Sequence, residues 1–580
     1  MIIYSLETEI IANTYHKAGR KVEVVGLAAL RNGTKTQQAE AQEIGVSRTT
    51  LQSWVYRERT MQREIPPELV HFYESPAGLT HLCQLVVALM YTFNKASGCG
   101  LATIQMFLIH SGLCKFVASS IGSLQQMAAE MDNNILTFGR EEEDRLAAEM
   151  PMRDISVVAD ETFFPDMMVL LMMEPVSNYI LTEESSKKRD AASWNDATST
   201  ILAKLNAKVI QLTGDEGSGL TSFTKKILGI HKAPDLFHVQ QDITKAMGGH
   251  LARKVKKSKR DIEECSAQIE KSYKEARKEI LSYDGEYSDP APIPEQLALK
   301  IKNVDTLLKQ QVANNLHHRQ LLDDQQIVSK RRREIGDLYH PFDMTTGVCR
   351  SPEELENSLS VAFDDIESVA TRNGCSEKQL KRLSKSRHMI PSLKATLAFF
   401  WIFTQVNLAE LKLFNLDLES LFYKYLLPIM YWKSYYSKCR SKSKKELIEK
   451  TIKTLENKLN VRDGPWSSLL EEGRKSLSIK AQECVELFQR SSSCVEGRNG
   501  QLSLLHHGHK RLGTQRIRVL KVIHNFGLLG KDGHTPAEQL FGQKPRNLFD
   551  YLLNSTSHPG RPRRSDWSRT RDNRSARRVA

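Results

Sequence analysis

The sequence predicts a mixed α/β protein: a small sheet core, interrupted by a large all-helical block and preceded by a helix-turn-helix. Three observations carry this. Short apolar runs separated by turn residues crowd residues 155–183 and recur at 208–219 and 233–247. Residues 248–480 are rich in Lys, Glu, Leu and Gln and almost free of strand signals. Residues 35–58, "KTQQAEAQEIGVSRTTLQSWVYRE", place Gly45 between two short segments with helical apolar spacing.

In that first module, Ala41, Ile44, Val46, Leu51 and Trp54 are the apolar residues two crossing helices need. Gly45 can take the left-handed conformation of a tight turn, and Ser47 suits the N-cap of the second helix. That helix would present Arg48, Thr49, Gln52 and Ser53 to a DNA major groove. Pro66, Pro67 and Pro76 close the module, and residues 66–150 read as an amphipathic helical linker or dimerisation region.

From residue 155 the period becomes that of strands. Residues 155–159, 167–173 and 178–183 predict an antiparallel meander with turns at Pro165-Asp166 and Val176-Ser177. Residues 191–207 predict a helix, and 208–219 a strand ending in the Gly-rich turn "GDEGSG". A helix at 222–230 and a strand running into a helix at 233–247 complete the order β-β-β-α-β-α-β-α. The expected domains are therefore 1–65 (helix-turn-helix), 66–150 (linker), 151–247 (core, first part), 248–480 (helical insertion), 481–555 (core, last part) and 556–580 (basic tail).

A chain of 580 residues exceeds one compact core. The nine cysteines form no C-x-x-C pair, which argues against a zinc site or a disulfide framework. The longest apolar runs, 82–93 and 395–403, fall short of the roughly 18–20 residues that span a bilayer, so a cytoplasmic protein without a membrane partner is expected. The net charge of +13 is concentrated at 252–260, 329–333, 438–445 and 561–578, which favours a polyanionic partner.

The chemistry rests on acids. Asp160 follows an apolar strand, and Asp215 follows another. If those strands are neighbours, both carboxylates project from one region, and a third acid on a packed helix completes a negative cluster. Hard cations such as magnesium and manganese take such oxygen ligands. Two of them about 3.5–4 Å apart serve phosphoryl transfer. Glu161 and Glu216 compete with their neighbours for these roles, and Glu483 and Glu486 compete with Glu496.

The element order, with "VVADETFF", "QLTGDEGSG" and "SSCVEGRNGQLSLLHH" in place, resembles the RNase H-like fold of DDE transposases and retroviral integrases. The helical stretch between Asp215 and Glu496 is similar to the insertion of hAT- and Tn5-type transposases. "PDLFHV" resembles the C/D-x-x-H signature of the hAT type, and "HNFGLLGKDGHTPAEQLFG" an ending found in bacterial insertion-sequence transposases. The Y-R-E-K pattern of Tn5-like enzymes is not visible, and Trp401, Trp432 and Trp466 compete for the insertion's base-stacking role.

The resemblance implies Asp160, Asp215 and Glu496 as catalytic metal ligands for two Mg2+ (or Mn2+) ions. It implies Asp235 and His238 as supporting or DNA-positioning residues, and Arg498, Asn499, Lys510 and Arg511 as contacts to the element end. The implied partners are double-stranded transposon-end and target DNA, in a homodimer or higher synaptic complex on the bacterial nucleoid. An inactive DNA-binding descendant and a nuclease without strand transfer are the alternatives.

Overall fold

The computed structural model describes residues 36–43, 45–48, 51–52, 55, 65–282, 294–411, 416–508, 512–557 and 559–561. The chain forms two compact units, Pro151–Gln501 and Met1–Met150 with Leu502–Ala580. The sequence placed the end of the core at 555. The unit holding the sheet ends at Gln501 instead, because the residues that follow pack with the N-terminal helices.

In the first unit five strands form one mixed sheet: β1 (Arg153–Phe163), β2 (Met168–Glu174), β3 (Tyr179–Ser186), β4 (Ala207–Gly214) and β5 (His231–Pro234). Their spatial order is β3-β2-β1-β4-β5. β1, β2 and β3 pair antiparallel, while β4 and β5 add parallel on the other side of β1. The parallel additions need crossovers. Helix α1 (Ala191–Lys204) supplies the first, started by Asp190, whose carboxylate accepts the Ser193 amide at 2.9 Å. β2 is buried along its whole length, and so reads as a continuous apolar run rather than an alternating one.

β1 is longer than the sequence suggested. It continues past Asp160, which pairs with Leu171 inside the antiparallel ladder. Only the parallel ladder stops there, at Ala159 opposite Gly214. Gly214 is required: a Cβ would lie 2.6 Å from the Ala159 carbonyl oxygen and 2.7 Å from Leu220.

After β5 come α2 (Leu236–Ile243), the long pair α3 (Gly249–Leu281) and α4 (Glu295–Leu338), further helices, α5 (Glu471–Leu487) and α6 (Ser493–Gly508). The insertion has its own core, containing Phe363, Phe422 and Trp432. Trp466 is buried in it, and Trp401 packs against it while donating from Nε1 to the Arg350 carbonyl at 3.0 Å. All three tryptophans that compete for a stacking role thus make core contacts, with Trp401 only partly buried.

In the other unit, helix Ile121–Glu149 is the spine. Its Phe138 is fully buried, edge-on to Phe526. Its buried Glu142 accepts from the Arg546 Nε at 2.6 Å. Near the N-terminus, helix Gln37–Glu43 is followed by Gly45 at φ 70° and by helical residues around Leu51. Ala41 and Leu51 are buried, while Arg48 and Gln52 are exposed. Thr49, Lys510 and Arg511 lie outside the described residues.

Among the described residues, Pro76–Ala96 and Glu377–Glu410 are long and apolar enough to cross a membrane by length and composition alone. Both contribute to protein cores, through Val86 and Val87 in one and Leu393 and Phe400 in the other.

Candidate metal centre

The parallel ladder of β1 and β4 ends at Ala159 opposite Gly214, so the next residues, Asp160 and Asp215, emerge side by side. Carboxylate oxygens of Asp160, Glu161 and Asp215 all lie within 4.8 Å of one another. Alternation along β1 sends Asp160 and Glu161 to opposite faces of the sheet, and Asp215 sits beyond the strand end where both can approach it. Asp215 is held by its own turn, with Oδ1 accepting the Gly217 amide at 2.9 Å.

Helix α6 covers the Asp160 face. Val495 and Cys494 pack on Val158, Leu171, Met173 and Ile180. This seats Glu496, in the first turn of α6, close enough for its charge to act on Asp160. Glu496 does not join the 4.8 Å group; Glu161 takes that place. Its sequence rivals are elsewhere. Glu483 pairs with Lys480 at 2.9 Å. Glu486 has Arg153 and Glu174 as charged neighbours, and Arg153 starts β1, away from Asp160.

Electrostatics mark the site. Burial, then the Glu496 charge, push the Asp160 carboxyl up to about 7, with Asp215 adding and His238 opposing. Burial and the Asp215 charge raise Glu161, and Arg189 opposes. One Glu161 carboxylate oxygen, Oε1, is buried without a hydrogen-bond donor. Gathering acids this way is unfavourable unless a cation is bound. The donors are all oxygen, so the residues fit a hard divalent ion.

The D-x-x-H pair is built into the scaffold. Asp235 is only 1% exposed. It caps α2 through the Phe237 amide at 2.8 Å and accepts from Ser492 and from His238 Nδ1, the latter at 2.9 Å. Burial pushes its carboxyl up, but the bonds from His238 and Ser492 outweigh this and hold it low. His238 is raised by its bond to Asp235, with the Asp160 and Asp215 charges contributing. His238 therefore faces the acids. Asp235 is a support behind it, and its burial fits the supporting rather than the DNA-positioning role of the two the resemblance implied.

Arg498 and Asn499, two other expected DNA contacts, both have partners within the protein. Arg498 is 6% exposed and grips Glu183 of β3 with two bonds, 2.7 Å from Nε and 2.8 Å from Nη2. Asn499 points into the site and donates from Nδ2 to Asp160 Oδ2 at 3.1 Å. Lys232, Glu183 and Ser492 were not singled out by sequence. The buried Lys232 ammonium donates to the Gly214 carbonyl at 2.7 Å and pins the strand end that carries Asp215. A lysine and a glutamate in apolar strands were the available signals.

Residues 422–568 match a family model described as "Family of unknown function (DUF6399)". The match includes α6 with Glu496, Arg498 and Asn499, and excludes the sheet acids. No curated protein matches the chain.

Proposed function

We propose that the protein is a metal-dependent DNA transposase with an RNase H-like core, cutting the ends of a mobile element and joining them to target DNA. The carrying observation is that Asp160 and Asp215 meet where the parallel ladder of β1 and β4 ends, in a sheet ordered β3-β2-β1-β4-β5, beneath a helix that brings Glu496. The long helical insertion between Asp215 and Glu496 supports the same reading.

Asp160 and Asp215 would hold the ions, with Glu496 or Glu161 completing the ligand set. Bound Mg2+ or Mn2+ would supply an activated water or 3′-hydroxyl and stabilise the leaving oxygen of a phosphodiester. The protein's own residues orient this chemistry. Asn499 directs the Asp160 carboxylate. Asp235 orients His238, whose imidazolium form lies near the acids and suits a phosphate oxygen of the scissile strand. Arg48 and Gln52, both exposed, would read DNA as part of the N-terminal module.

The test is nicking and joining of DNA carrying the sequences that flank the gene, with purified protein and Mg2+. The reading predicts 3′-hydroxyl ends and their transfer to a target, both dependent on Asp160. Demonstrable end binding without Asp160-dependent nicking would sink it. Hydrolysis that never leads to joining would favour a nuclease.

A further inference from the structure

Asp160, Leu171 and Glu183 stand in one row across β1, β2 and β3. Directly paired residues of antiparallel strands project to the same face. The two carboxylates therefore lie on the face that α6 covers, with the apolar Leu171 between them. Helix α6 engages every position of this row. Val495 packs with Leu171, Arg498 holds Glu183, and Asn499 donates to Asp160. These residues are at i, i+3 and i+4, so they share one helix face. Glu496 lies three residues before Asn499, on the flank of that face.

Val495 alone would let the helix roll, because an apolar contact is not directional. The Asn499 bond is a single hydrogen bond to a carboxylate that must also be free for other partners. The Arg498–Glu183 pair is different in kind. It is a two-bond fork with side chains 5% and 0% exposed. A planar guanidinium on a carboxylate fixes orientation as well as distance.

We infer that the buried Arg498–Glu183 pair is the positioning device that sets the rotation of α6, so that Asn499 and Glu496 are presented to Asp160. Its functional consequence rests on the proposed function. Its structural part does not. The pair is away from the reacting groups, so Arg498 and Glu183 are positioning residues and touch no substrate.

The experiment uses the full chain and three variants: Arg498→Lys, Glu183→Gln, and the apolar double variant Glu183→Leu/Arg498→Met. Replacing a buried pair by apolar side chains commonly preserves stability, whereas removing one partner does not. The double variant therefore keeps the test open if the single ones fold poorly. Three quantities are read: melting temperature, backbone hydrogen exchange across residues 493–501, and the Mg2+ concentration for half-maximal nicking.

The expected result for the double variant is a melting temperature at or above wild type, faster exchange confined to 493–501, and a Mg2+ midpoint raised about 10–100-fold. Arg498→Lys, which keeps the charge and loses the fork, should shift the midpoint in the same direction. A double variant with wild-type exchange and midpoint would overturn the inference, reducing the pair to a stabilising contact. If the wild-type protein does not nick DNA at any Mg2+ concentration, the proposed function fails, and exchange across 493–501 alone decides the inference.

Discussion

Asp324, buried in the helical insertion, and Asp160, half-buried in the sheet, differ in how the chain treats their charge: it gives a cationic partner only to the first. Asp324 accepts from Arg372 Nε at 2.8 Å and from Asn373 Nδ2 at 2.6 Å. Burial pushes its carboxyl up, yet these bonds hold it below the ordinary range. Arg145 and Arg546 hold the Glu142 carboxyl low in the same way, and Arg498 bonds both oxygens of Glu183. Asp160 receives only neutral donors, the Asn499 side-chain amide and the Glu161 backbone, and shares its surroundings with Asp215, Glu161 and Glu496. Among the described residues His238, already tied to Asp235, opposes the rise of the Asp160 carboxyl. The chain thus has ready means to satisfy a buried acid and does not use them at the sheet end. Paired acids are architecture; on the proposed reading, the acids left facing one another are the ones kept for a ligand.

The sharpest way to break this contrast is to neutralise one acid of each kind. Asp160→Asn and Asp215→Asn should each reduce nicking by roughly 10³ or more while leaving DNA binding in place. Gel-shift and nicking assays on the same preparations check this. Arg372→Ala should do the reverse. It leaves Asp324 without its charge partner, though Asn373 still bonds it, and should cost on the order of 1–2 kcal/mol in denaturant unfolding because Arg372 is partly exposed, with the nicking rate per folded molecule unchanged.

A smaller effect sharpens the electrostatic side. The Asp160 carboxyl is raised in the fold from 3.8 to about 7. A raised acid favours the folded state while protonated, so its contribution is present in full below about pH 3.8 and is lost as pH rises through about 7. Metal-free Asp160→Asn should therefore be more stable than wild type at pH 8, on the order of 1–3 kcal/mol. The gap should close towards pH 4, as thermal melts across that range would show. Equal melting curves at pH 8 would remove the claim that the acids strain one another.

The smallest expected effects concern DNA outside the site. Removing residues 1–60 should weaken sequence-specific end binding more than non-specific binding, and competition assays would show it. Specificity that survives the truncation would end the helix-turn-helix reading. The clustered basic residues should make binding fall steeply with salt, measurable by fluorescence anisotropy.

Much of the sheet was legible because its signals are local. Turn residues bracket the meander, and an apolar run followed by an acid marks both β1 and β4. Strand ends were less so. Asp160 was read as a terminus because a polar residue stops an apolar run, yet the antiparallel ladder with β2 carries the strand on to Phe163. Asp160 and Asp215 could be paired on paper because strand order follows from few rules. The roles of Arg498 and Asn499 could not. Both look like surface groups on a polar helix, and their inward direction depends on register between α6 and a strand row more than 300 residues earlier in the chain. Glu183 is the other half of that problem: a charge within an apolar strand is a signal, but its partner is invisible without the fold. The unit boundary at Gln501 was likewise hidden, because no composition change marks it inside α6.

The central claim is that the unpaired acids form a cation site. Calorimetric titration of the metal-free full chain with Mn2+ tests it most directly, using wild type, Asp160→Asn, Asp215→Asn and Asp324→Asn side by side. The account predicts saturable binding in wild type and in Asp324→Asn, and its loss in Asp160→Asn and Asp215→Asn. No binding in wild type, or the same isotherm in all four proteins, would contradict it.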